Sequence, residues 1–227
     1  MGFITVQKCG IVWLVKEYYI TSEKGHGEVV EKKSRFIAHV IPVESEEQAL
    51  EIIESLKKEY WDARHNCYAF VCGANNEVQR FSDDGEPQGT AGKPILEVLL
   101  NKDVHNTLIL VTRYFGGTLL GTGGLIRAYG QAAVEGLKDA EIQAVFDGVT
   151  FELSVDYESI GKIKYNMVQF GVGDAVEGYG EDVTLQIKMK KDDFEKFKTS
   201  VIDATSGKAK FENVSDCEYR EKAELDG

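Results

Sequence analysis

The residues with the most evident chemistry lie between Arg113 and Gly130, in RYFGGTLLGTGGLIRAYG. Arg113 and two aromatics, Tyr114 and Phe115, precede Gly116, Gly117, Gly121, Gly123 and Gly124, and a helix-like segment follows. Free N–H groups and the positive end of a helix dipole favour an anion at such a place. An arginine beside aromatics suits a surface that meets phosphate and base together. A Walker-type loop fails at one position. The glycine spacing from Gly116 fits, but Thr122 stands where the phosphate-reaching lysine is required. The dinucleotide fingerprint fails too, because Ile126 holds the place of its third glycine. The plainer reading is that these glycines only supply positive φ or close backbone approach.

A second set of candidates lies upstream. Asp83, Asp84, Gly85, Glu86, Pro87 and Lys93 fall in NNEVQRFSDDGEPQGTAGKP, a polar stretch too long for a simple connection and so a candidate functional loop. Its carboxylates lack EF-hand spacing, and Asp-Gly and Glu-Pro are ordinary turn formers, so no metal is expected. Arg64, His65, Asp83 and Asp84 could assemble into a small-molecule hydrolase site. The sequence carries no GxSxG or HExxH, so no catalytic residue is assigned, the balance leans away from an enzyme, and no cofactor is expected. Arg35, Arg64, Arg80 and Arg113 are expected to converge on one face beside the 82–92 loop. Arg113, at a strand end, should be a charge whose loss the fold survives.

Composition narrows the classes. With 43% hydrophobic and 28% charged residues the chain reads as soluble and globular. Its net charge of −12 leaves no overall basic surplus, so any nucleic-acid surface must be a local patch. Five of the arginines precede residue 148, which makes the first part the place to seek an anion site. Cys9, Cys67, Cys72 and Cys217 form no CxxC and suit reduced thiols in a cytoplasmic protein. The apolar run in CGIVWLVK is too short for a membrane span or a signal peptide, and no membrane partner is expected.

The elements that must position these residues follow from periodicity. Residues 17–43 read as strands broken at EKGHGE. Ser45 with Gln48 forms a capping box for a helix whose inner stripe is Ala49, Ile52, Ile53, Leu56 and Tyr60. HNCYAFVCG is a strand, with Cys67 and Cys72 on opposite faces. ILEVLL continues as a short helix. NTLILVT, apolar on both faces, is a covered central strand. Leu125, Ala128, Tyr129, Ala132 and Gly136 give the next helix a small-residue stripe suited to close packing on a sheet. From Gly148 the pattern changes to alternation, and Asp147-Gly148 is taken as the boundary between domains 1–147 and 148–227, with residues 1–15 an extension. The second domain reads β-α-β-β-α-β, the ferredoxin-like order, with its own core around Phe151, Leu185, Phe194 and Phe197. Asp192 and Glu195 should cap its second helix, KAKFENV should be its last strand, and EYREKAELDG a solvated tail.

KSRFIAHV, RHNCYAF, RFSDDGEPQGTAGKPIL and LVTRYFGGTLLGTGGLIRAY together resemble the YigZ/IMPACT family, in order over about residues 16–140. The segment 148–220 looks like the small C-terminal domain of its bacterial members. The resemblance implies an α+β protein of two domains. The first would be a ribosomal-protein-like β-α-β sandwich similar to domain IV of elongation factor G, the second a ferredoxin-like domain similar to domain V. Eukaryotic relatives regulate translation initiation through a separate N-terminal domain. Only about 16 residues precede the match here, so kinase regulation is not carried over. What the resemblance implies is a translation-related regulator binding RNA or the ribosome, with a translation-control protein as a further partner. The nucleic-acid or anion site would comprise Arg35, Arg64, Arg80, Arg113, Tyr114, Phe115, Gly116, Gly117 and Gly121. A protein-interaction module is the remaining alternative.

Overall fold

Every residue of Thr107–Tyr114 except the last is buried, as expected of a strand with apolar side chains on both faces. In the computed structural model, which describes residues 17–173 and 175–225, this strand is the middle of a five-stranded sheet. The expected extension at residues 1–15, with Cys9, lies outside the described residues. The chain divides into two compact units, one built on Tyr18–Val145 with the chain's end from Arg220, the other on Phe146–Tyr219.

The first unit runs β1 (Tyr18–Thr21), β2 (Gly25–Glu31), β3 (Ser34–Pro42), α1 (Glu46–Glu59), β4 (His65–Cys72), β5 (Val78–Ser82), α2 (Gly92–Asn101), β6 (Val104–His105), β7 (Thr107–Tyr114) and α3 (Gly121–Asp139) into β8 (Ile142–Val155). The large sheet has the order β2-β3-β7-β4-β5, antiparallel throughout. Alternation divides its side chains between two cores. Phe36, Ala38, Cys67, Ala69, Ile109 and Val111 pack with α2 and α3 on one face. Phe70, Cys72, Leu108 and Leu110 pack with α1 on the other, so Cys67 and Cys72 do point to opposite faces.

The small stripe on α3 has a physical counterpart in β2. A Cβ on Gly27 would lie 2.4 Å from the Gly136 nitrogen, and one on Gly25 would lie 2.4 Å from the Gly136 carbonyl oxygen. Helix and strand meet backbone to backbone there. For the same reason the expected break at EKGHGE is mostly strand: β2 begins at Gly25, and its glycines serve the helix rather than a turn. The turn comes instead at Lys32 and Lys33, both at positive φ (46° and 67°), without the glycine that normally signals a two-residue hairpin. At α1, Ser45 accepts from the Gln48 N–H at 3.2 Å, while the Gln48 side chain accepts from Glu44 rather than from Ser45.

Two polar stretches hide strands. Val78–Ser82, inside the expected long loop, is the edge strand β5, and its polar residues reflect exposure on an edge. In the second unit, β8 continues into α4 (Ile160–Gln169), β9 (Val176–Tyr179), β10 (Val183–Lys190), α5 (Lys191–Ala204) and β11 (Lys210–Ala223). The strand order β11-β8-β10-β9 is the ferredoxin-like 4-1-3-2, over a core containing Phe151, Leu185, Phe194 and Phe197. The expected cap of α5 is not formed: Lys190 holds the N-cap position without a side-chain bond. The expected solvated tail is also corrected. β11 runs on to Ala223, and Ala223 and Leu225 pack against the core of the first unit.

Candidate functional site

The face on which an arginine lies follows from strand register. Phe36, Arg113 and His65 stand side by side across β3, β7 and β4, in the row that faces α2 and α3. Arg35 pairs with Tyr114 and Arg80 with Phe70, both in rows that face α1. The four arginines therefore do not converge. Arg35 forms a two-point ion pair with Glu28 (2.7 and 3.2 Å), which holds the Glu28 carboxyl below its usual range. Arg80 bonds Glu46 at the start of α1 (3.0 Å). The Tyr114 hydroxyl donates to Asp62. These three side chains belong to the opposite side of the sheet. Lys93 is directed elsewhere too, beside Glu97 on α2.

What remains together is a cleft of about 360 Å3 between the 84–87 turn, the end of β7 and the start of α3. Arg64, His65, Gly85, Glu86, Pro87, Arg113, Phe115, Gly121 and Thr122 contribute to its wall. The turn is tight because Asp84 and Gly85 both hold positive φ (44° and 86°) and the Glu86 N–H donates to the Asp83 carbonyl. Both aspartates are spent on holding it. The Asp83 carboxylate accepts from the N–H groups of Gly89, Ala91 and Gly92 and so caps α2. Asp84 accepts from Lys57 and from the Asn66 N–H. Of the hydrolase quartet, Arg64 and His65 stay in the cleft, and Asp83 and Asp84 do not line it. Among the described residues no His, Cys, Asp and Glu cluster is arranged to hold a metal.

The turn delivers Glu86 into the cleft floor. Its side chain is 4% exposed, and Oε1 accepts from Arg113 Nη1 at 2.5 Å and from the Tyr129 hydroxyl at 2.8 Å. The Arg113 guanidinium also lies over the rings of Phe36 and Phe115, and its Nε is buried without a partner. Arg113 is thus a core element, 6% exposed, and the expectation of a dispensable surface charge is corrected. Behind it, the Cys67 thiol donates to the Asp83 carbonyl at 3.0 Å and lies 3.4 Å from the Tyr129 hydroxyl. Burial pushes the thiol and the phenol well above their ordinary ionisation ranges, so neither charges near neutrality. Glu86 and Arg113 neutralise each other.

Net positive character at the cleft comes from its rim. Arg64 is exposed and has no hydrogen-bond or ion-pair partner among the described residues. Among the described residues no side chain caps the first turn of α3, whose early residues Gly121 and Thr122 line the opening. Phe115 (43% exposed) and Leu119 (83%) present apolar surface beside them. The glycines divide the structural work. A Cβ on Gly116 would lie 2.1 Å from the Lys33 backbone, and Gly117 and Gly121 hold positive φ (85° and 74°). Sequence reasoning placed Tyr129 in a packing stripe and missed its hydroxyl. Nothing local signals that a residue 43 positions from Glu86 would bond it.

The fold and cleft define a two-domain α+β protein with a cationic, aromatic-edged opening over a neutralised floor. Residues 32–137 match the Impact N-terminal domain, and residues 153–208 match a domain of unknown function (DUF1949). IMPACT family member YvyE of Bacillus subtilis is 38% identical over 210 residues, covering 92% of this chain and 96% of that protein. IMPACT family member YigZ of Escherichia coli is 42% identical over 135 residues, 59% of this chain and 66% of its own. A crystal structure of a hypothetical protein aligns with a TM-score of 0.56 at 32% identity, over 89% of this chain and 99% of that one. The chain belongs to the IMPACT family.

Proposed function

We propose that the chain acts in translation by binding RNA, free or on the ribosome, through this cleft of the first unit. The observation that carries the reading is Arg64: an exposed guanidinium without a partner among the described residues, at the mouth of a cleft whose other rim is the start of α3. Donors of both kinds suit a phosphate oxygen. Phe115, half exposed at the same opening, offers a face on which a base can stack. The translation role implied by the family resemblance points the same way, and that role would place the chain in the cytoplasm. No helix among the described residues is long and apolar enough to cross a membrane. Co-sedimentation with ribosomes and binding of single-stranded RNA, each over a salt series, test the proposal. Binding that weakens with salt supports it, and an absence of binding at low salt overturns it. The hydrolase reading has less to stand on, since both aspartates are committed to backbone and Lys57.

A further inference from the structure

We infer that the cleft floor reads a sugar 2′-hydroxyl, so that the chain prefers RNA to DNA; this rests on the nucleic-acid reading of the cleft. A backbone carbonyl only accepts, so the 2.8 Å contact between His65 Nδ1 and the Asp84 oxygen requires the proton on Nδ1. In the neutral ring Nε2 is then an acceptor with no hydrogen of its own. It stands 3.9 Å from Glu86 Oε1, beyond hydrogen-bond reach, and both residues line the cleft. At His65 Nε2 the floor therefore offers an acceptor, beside the Arg113–Glu86 pair, while Arg64 and the α3 start supply donors at the rim.

That polarity selects an orientation. A phosphate is drawn to Arg64 and the α3 start, because the Arg113 charge deeper in the cleft is already matched by Glu86. The group that meets His65 Nε2 must carry a hydrogen to donate. In a polynucleotide backbone the donor adjacent to the phosphate is the ribose 2′-hydroxyl, which DNA lacks. A volume of about 360 Å3 has room for one sugar with part of its base. The arrangement is sterically fixed, because the Asp84 carbonyl that orients His65 belongs to the turn held by Lys57 and Asn66.

The test uses the full chain and three single-stranded oligouridylates of about 12 nucleotides: ribo, 2′-deoxy and 2′-fluoro. The fluoro strand keeps an RNA-like sugar pucker but has no proton to donate. The ribo strand should bind roughly 2- to 10-fold tighter than either, the range that one neutral hydrogen bond supports. His65→Phe, which keeps a ring and removes the acceptor, should abolish the ribo preference, so that ribo and deoxy strands bind alike. Equal binding of ribo and fluoro strands by the unaltered chain overturns the inference and leaves the phosphate reading standing. Binding of none of the strands overturns both. The strand comparison needs no variant, so a His65→Phe chain that fails to fold does not protect the idea.

Discussion

Arg113 and Glu86 meet at 2.5 Å under the cleft, each less than a tenth exposed, with the Tyr129 hydroxyl bonded to the same carboxylate oxygen. A buried pair of this kind holds its surroundings in place, and its loss is felt mainly through the partner left behind. Arg113→Ala should therefore cost about 3–5 kcal/mol, because it leaves the buried Glu86 charge without its counter-ion. Urea unfolding of the variant checks this. A stability equal to that of the parent would show that Glu86 is solvated and that the pair is not buried in solution.

Charge at the rim behaves differently. Arg64→Ala should leave the unfolding midpoint in place, weaken RNA binding and lower the salt slope by roughly 0.7 for one lost single-strand phosphate contact. Arg35→Ala serves as the control, since Arg35 lies in a row facing α1 and is bound to Glu28. Equal losses from the two variants would count against the cleft as the contact.

Two adjacent glycines should respond unequally to alanine. At Gly117 the space around a Cβ is open, and only the positive φ resists, at roughly 1–2 kcal/mol. At Gly116 a Cβ would lie 2.1 Å from the Lys33 carbonyl carbon, so β7's end must part from the β2–β3 turn, costing about 3 kcal/mol. Paired denaturation curves should rank Gly116→Ala below Gly117→Ala.

Stability should also fall with acid through His39. Burial lowers its pKa, His26 nearby lowers it further, and Nε2 is buried without a partner. A depressed folded value means the contribution is complete above the unfolded value near 6.5 and is lost as pH falls from there to the folded value. His39→Phe should flatten the decline in urea midpoint across that window. An unchanged decline would assign the acid sensitivity to other groups.

Much of the scaffold was legible in the order of residues, because periodicity is a local property. Seven buried positions in Thr107–Tyr114 follow from apolar character on both faces, and the ferredoxin-like strand order follows from β-α-β-β-α-β. The small stripe on α3 announced close packing, and Gly25 and Gly27 are what it packs on. The polar strand β5 and the second half of β11, beyond the expected KAKFENV, were not legible, since an edge position removes the alternation by which strands are recognised.

The site divides along the same line. Sequence by itself determined that Arg64, Arg113 and the glycines belong to strand-end segments and Glu86 to a turn-rich loop. Only the tertiary structure decided which of them share a cleft. Arg35 and Arg113 are in neighbouring strands, yet register sets Arg35 opposite Tyr114 and Arg113 opposite Phe36, and successive residues of a strand face opposite ways. The pairing of Glu86 with Arg113 and Tyr129 spans 27 and 43 positions. Contacts of that length depend on strand order and register, which pairing across the sheet creates and no single segment carries.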